Sequence, residues 1–392
     1  MWGLQMKAKL GDICNILNGF AFKSEQYVAS GTRIIRIANV QKGYIEDSAP
    51  VFYPPGSAES QKYALDEGDL LMSLTGNVGR VAILKKEFLP AALNQRVACL
   101  RIKDPKELEK SYLFNLLNSD YFEGKCVESA NGVAQKNMST DWLKNYEIPL
   151  PSLPEQQHIA AVLDQVSELI SLRRQQLTKL DELVKARFVE MFGDPVSNEK
   201  SWEKSTLKKV CTKLNDGTHF SPNSFKTGDY KYVTAKNIKI SGFDFSNITY
   251  VPEEIHRPIF ERCNPEFGDV LYIKDGVTTG IAMVNTLDEE FTLLSSVALL
   301  KQDRAVMDGH FLCGLLNNRE MYEDIRKNMG GAAITRLTIA KLNSISVIVP
   351  PIELQKQFSA FVKQIDQSKA IVQQSLEKLE LLKKSLLQEY FG

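Results

Sequence analysis

The sequence predicts an α/β (α+β) protein: two similar strand-rich domains separated by two long antiparallel helices that form a coiled-coil-like spacer, with a pseudo-twofold repeat. Three observations predict it. Residues 148–193 and 347–392 align without a gap at a constant offset of 199 residues, with 13 identities in 46 positions. Past its opening prolines, each copy is a long run with heptad-like apolar spacing and no Gly or Pro before its Phe-Gly ending. The two stretches that precede these copies share a fainter set of turn and strand motifs in the same order.

Residues 1–150 form the first expected domain. Short β-branched runs between Gly, Asn and Asp turns read as strands at Arg33 to Ile37, Leu70 to Leu74, Val81 to Leu84 and Val97 to Ile102. Tyr112 to Asn118 reads as a short helix. Residues 151–193 form the first spacer. Pro154 suits a first helical turn, Ser152 lies upstream as its cap, Glu155 follows in the first turn, and Gly193-Asp194-Pro195 supplies the stop. At ~1.5 Å per residue the helix would be roughly 55 Å long. Its seam carries Ile159, Leu163, Val166, Ile170, Leu177, Leu180, Val184 and Met191.

Residues 194–349 repeat the first domain. Gly268-Asp269-Val270-Leu271 corresponds to Gly68-Asp69-Leu70-Leu71, and Lys236-Asn237-Ile238 to Ala38-Asn39-Val40. The turn from Lys274 to Gly280 corresponds to Thr75-Gly76-Asn77-Val78-Gly79, and the segment from Gly331 to Thr338 to that from Gly132 to Ser139. Val270 to Ile273 is an expected strand. Residues 350–392 form the second spacer, opening after Pro350-Pro351 with Phe358, Val362, Ile365, Val372, Leu376, Leu379 and Leu386 along its seam. Arg173, Lys369 and Lys383 interrupt the two seams. Mutual packing of the helices is preferred to two helices lying on separate cores, because both far exceed the usual helix of a domain.

Composition narrows the function. The chain has 392 residues, 43% of them apolar, and a formal net charge of zero. Residues 1–150 carry +1, 151–195 carry −2, 196–350 carry 0 and 351–392 carry +1. That profile argues against coating nucleic acid by bulk electrostatics, so any DNA role needs localised basic faces. No run approaches the ~18 apolar residues of a membrane span, and no signal-peptide pattern opens the chain. The six cysteines lack C-x-x-C spacing, which points to a reduced, cytoplasmic setting.

Catalytic motifs are missing. No phosphate-binding G-x-x-x-x-G-K-[S/T] loop and no G-x-G-x-x-G after a strand occurs. The histidines 158, 219, 256 and 310 lie in unrelated contexts, and His158 reads as a surface residue. Asn264-Pro265-Glu266-Phe267 is similar to the Asn-Pro-Pro-aromatic loop with which amino-methyltransferases hold a flipped base, but Glu stands third and no cofactor-binding glycine strand precedes it. A turn before a strand is the better reading. The chain is expected to be non-catalytic.

Taken together, the order of domains and helices, the Pro149 to Gln156 stretch with its copy at Pro350 to Gln355, the Phe-Gly endings and the Gly-Asp-Leu-Leu strand starts resemble the specificity subunit of type I restriction–modification systems, over essentially the whole chain. The resemblance implies that each domain is a target-recognition domain reading one half of a split, asymmetric sequence in double-stranded DNA. It implies that the helices fix the gap and dock two methyltransferase subunits and, through them, two restriction subunits. Adenine-N6 methylation of a base swung out of the duplex would be the partner's chemistry. No cofactor is expected on this chain; S-adenosylmethionine, ATP and Mg are expected on the partner subunits. A stand-alone site-specific nuclease and a coiled-coil scaffold without DNA binding are the alternatives.

Polar, glycine-flanked loops are the candidate DNA contacts, since glycine lets the backbone approach a phosphate while a neighbouring amide or guanidinium reaches a base. In the first domain these are Phe22, Lys23, Ser24, Arg36, Asn39, Asn77, Arg80, Asn94, Gln95, Arg96, Gln135, Lys136 and Asn137. In the second they are Thr218, His219, Lys236, Asn237, Lys274, Thr278, Thr279, Ser295, Ser296, Thr335 and Arg336. Gln135-Lys136-Asn137 faces Ile334-Thr335-Arg336 across the repeat; Gln and Asn suit adenine, Arg suits guanine, and Ile or a Thr methyl suits the thymine methyl. The outer helix faces, with Gln156, Gln157, Arg173, Arg174, Gln175, Gln176, Gln373 and Gln374, are candidate docking surfaces for the methyltransferase subunits.

Overall fold

A computed structural model describes residues 6–130, 136–327 and 336–392. In the first domain an antiparallel sheet runs in the order Cys14–Asn18, Val97–Ile102, Leu70–Ser73 and Val81–Ile83. A second, mixed sheet runs Phe52–Tyr53, Thr32–Ile35, Ala91–Leu93 and Ala64–Leu65, with Thr32–Ile35 parallel to Ala91–Leu93. The second domain repeats this plan. Its sheets run Cys211–Asp216, Val297–Gln302, Val270–Ile273, Ala282–Val284 and Thr249–Val251, Tyr230–Val233, Phe291–Leu293. The register repeats too: Leu70 pairs with Leu100 where Val270 pairs with Leu300.

Leu70 to Met72 and Val270 to Ile273 are apolar and buried at every position because both faces of their sheet are covered. Leu70 and Met72 join a core shared with the helices, while the alternate residue Leu71 joins a core between the two sheets. Val270 and Tyr272 against Leu271 and Ile273 divide in the same way.

The long helices span Leu153–Phe192 and Ile352–Phe391, 40 residues each, or about 60 Å. Glu155 Oε2 accepts from the Ser152 backbone N at 3.1 Å, one half of a capping box. Gly193, at φ +74°, ends the first helix.

The chain divides into two compact units, residues 1–174 with 374–392 and residues 175–373, so each unit holds part of both helices. In the first unit the two segments run antiparallel: Arg173 Nε bonds Ser375 Oγ at 3.2 Å, Arg174 pairs with Glu380 at 2.7 Å, and Phe391 shares a core with Ile159 and Leu163. In the second, Lys369 pairs with Asp181 at 2.7 Å and the Phe188 and Phe192 rings pack on Phe358, again antiparallel. Mutual packing is therefore observed. Among the interruptions of the seam, Arg173 and Lys369 are partnered across it.

The residues shared by the two copies now have physical reasons. Gln156 is fully buried: its Oε1 accepts from Glu109 N at 2.9 Å, and its Nε2 donates to the Glu107 and Pro151 carbonyls, each at 2.9 Å. Gln355 repeats the arrangement with Asp308 N at 2.9 Å, Val306 O at 3.0 Å and Pro350 O at 2.7 Å. Gln156 is thus a latch between a helix start and its domain, not an outer-face docking residue as its sequence context suggests. At the other end, Phe391 lies 5.4 Å from Tyr112 and Phe192 lies 4.7 Å from Phe311.

The outer faces carry another repeated feature. Leu172 and Ile371, equivalent in the repeat, are 50% and 70% exposed; Leu183 and Leu382, also equivalent, are 47% and 46% exposed. Each unit holds one member of each pair. No described helix is long and apolar enough to cross a membrane.

Candidate nucleic-acid interface

Four separate loops of the first domain are stitched together at one edge by backbone hydrogen bonds. Gln95 N donates to Phe20 O at 2.9 Å, Leu74 N to Arg96 O at 3.0 Å, Gly76 N to Lys136 O at 2.9 Å and Met138 N to Leu74 O at 2.8 Å. Thr75 Oγ1 adds a 2.8 Å bond to Asn137 Oδ1. Asn77, Gln95, Arg96, Lys136 and Asn137 all face solvent there. Behind them Arg80 is half-buried and held by Gln41 Oε1; with its oxygen turned inward, the Asn77 amide accepts from both Arg80 Nη atoms at 3.2 Å. The candidates around Asn77, Gln95 and Lys136 therefore converge.

The second domain closes the same circuit. Ser295 N donates to Thr218 O at 2.8 Å, Lys274 N to Ser296 O at 2.9 Å and Leu337 N to Lys274 O at 2.8 Å, and Arg336 Nε lies 3.5 Å from Asp275 Oδ2. Close backbone approach makes the circuit possible. A Cβ on Gly19 would meet Asn94 O at 2.2 Å, and one on Gly217 would meet Leu293 O at 1.9 Å, so neither position has room for a side chain.

Several residues selected from sequence prove to be internal. Phe22 packs in a small core with Ile34 and Tyr53. Asn39 is buried with its amide spent on Arg36 N at 2.9 Å and Glu46 O at 2.8 Å, and Asn237 is spent likewise on Thr234 N and Asp244 O. Thr218 and Thr279 are buried, the latter donating to Gly276 O at 2.6 Å. Lys274 is 2% exposed and pairs with Asp216 at 3.2 Å. Those side chains shape the loops and are not presented to solvent.

The others are placed as follows. Arg36 is half-buried and donates to Ala49 O at 2.8 Å. Asn94, Ser295 and Ser296 are half-buried in the loop circuit, with Ser296 Oγ accepting from Ala235 N at 3.3 Å. Lys23, Ser24, Lys236 and Thr278 are exposed. His219 is exposed with Nε2 at 3.2 Å from Asp216, which Arg262 also approaches at 3.4 Å. Asp216 is therefore a buried carboxylate facing three cationic or potentially cationic groups, as a desolvated charge requires. Gln135 and Thr335 lie outside the described residues.

Sequence reasoning missed the glycine pair, whose signal is the repeat of Asn18-Gly19-Phe20 as Asp216-Gly217-Thr218. It also passed over Val277, an apolar residue 97% exposed at the tip of its turn.

Comparison with known proteins places this geometry. The family described as "Type I restriction modification DNA specificity domain" matches residues 5–182 and again 199–381. A putative type I restriction enzyme MjaX specificity subunit from Methanocaldococcus jannaschii is 27% identical over 373 residues, covering 88% of this chain and 81% of that one. The MjaVIII specificity subunit of the same organism is 31% identical over 182 residues, 45% of this chain and 43% of that protein's length. The crystal structure of a type I restriction–modification S subunit from M. genitalium superposes with a TM-score of 0.60 over 100% of this chain and 98% of that one, at 17% identity, and so shares the fold.

Proposed function

The chain belongs to the family of type I restriction–modification DNA specificity subunits, and from that premise we propose that each domain reads one half of a bipartite DNA target through its stitched loop edge. The observation that carries this reading is the pair of equivalent edges. One backbone frame is built twice, and its tips differ: Asn77 and Asn137 in one domain stand where Val277 and Arg336 stand in the other. Readers that share a backbone and differ in side chains recognise different half-sites. Because overall charge is zero, affinity rests on these local edges and on phosphate contacts supplied within a larger complex.

The helix pair acts as the ruler that sets the gap between half-sites. Its outer faces dock methyltransferase subunits, and two such subunits fit the duplicated exposed apolar positions Leu172 with Leu382 and Ile371 with Leu183. S-adenosylmethionine, ATP and Mg belong to those partners and to restriction subunits, and this chain itself is non-catalytic.

The test is to exchange residues 135–137 for residues 334–336 and sequence the methylated DNA made by the complex. One half-site should change, while the other half-site and the gap stay as they were. Loss of both half-sites together would show that the segment is structural.

A further inference from the structure

The two turns at the loop edges are the same device with opposite chemistry at the tip. Ser73 N donates to Arg80 O at 3.0 Å and Gly79 N to Ser73 O at 2.9 Å; Ile273 N donates to Ile281 O and Gly280 N to Ile273 O, both at 2.8 Å. Thr75 bridges Asn137 as Asp275 bridges Arg336, and the next residue in each turn is a glycine with positive φ, +75° at Gly76 and +105° at Gly276. The residue after that glycine is Asn77 in one turn and Val277 in the other.

Asn77 is a polar tip anchored by a guanidinium. Val277 has no such logic within the fold: 97% of it is exposed, so it buries nothing and an apolar side chain there contributes nothing to stability. It projects from the edge that also carries Arg336 and Thr278. In the major groove, an exposed β-branched apolar tip complements the one apolar group that base pairs display, the C5-methyl of thymine. We propose that Val277 is a base-reading residue whose isopropyl group contacts a thymine methyl in the half-site of the second domain. The inference rests on the DNA-reading role proposed above.

Uracil lacks only that methyl, so it isolates the contact. The full chain is assembled with its methyltransferase subunit, the target is taken from the methylated sequence, and each thymine of the second half-site is replaced in turn by uracil. One replacement should weaken binding by the wild-type complex about three- to fivefold, the worth of roughly one buried methyl group. The Val277→Ala complex should bind the thymine and uracil duplexes alike. Uracil that is neutral at every position, full sensitivity retained in Val277→Ala, or a second half-site without A·T pairs would each overturn the proposal. Failure of the underlying DNA-reading role shows separately, as a wild-type complex that binds target and scrambled duplexes equally before any uracil is introduced.

Discussion

Burial on the helix seam pulls the Lys383 ammonium below its ordinary pKa, with Asp164 acting in the opposite direction. The folded state thus holds this proton less tightly than the unfolded chain, so stability rises with pH through the folded-state pKa. Below that pKa the cost of the charge is present in full. Lys383→Met should therefore stabilise the protein at neutral pH by about 1 kcal/mol, with the gain shrinking as pH rises above the folded-state value. Urea titrations at several pH values check it; a destabilised variant at pH 7 would refute the argument. Gly217 makes the opposite kind of demand. With a Cβ only 1.9 Å from a backbone oxygen, Gly217→Ala must move the loop circuit. It should cost about 1–3 kcal/mol and degrade the second half-site alone, read by unfolding and by the methylated motif.

The long helices owe their placement to their ends more than to their length. Each starts with a buried glutamine that answers one backbone N–H and two carbonyls. Removing that side chain takes away the partner of three backbone groups at once. Gln156→Ala and Gln355→Ala should each cost about 2–4 kcal/mol, while Gln157→Ala, exposed one residue later, should cost almost nothing. The two costs should add, because the latches belong to separate units. Denaturant unfolding tests this, and equal stabilities for the Gln156 and Gln157 variants would count against a latch. The seam was legible in sequence because apolar side chains recur every 3.5 residues on average, as at Ile159, Leu163, Val166 and Ile170. The latch was not, since its partners lie 47 and 49 residues upstream and a glutamine at a helix start looks solvated.

The duplicated architecture makes one global prediction. If the paired helices set the gap, inserting one heptad into both keeps the seam in register and lengthens the spacer by about 10 Å, or about three base pairs. The methylated motif should show a longer gap between unchanged half-sites. An unchanged gap would mean that something other than the helices measures the distance.

The repeat written into residues 148–193 and 347–392 was enough to establish two domains, two long helices and the apolar seam, because a duplicated pattern constrains every copy at once. Local polarity was a weaker guide to the loop edges. Asn39, Asn237, Thr218, Lys274 and Thr279 carry polar side chains next to turns, yet folding spends them on backbone groups and a buried carboxylate, while Val277, apolar and unremarked, is left in water. Which of two chemically similar residues serves a turn and which faces outward depends on strands brought together across dozens of residues. Hydrogen-bond satisfaction in that assembled edge, invisible along the chain, made the choice.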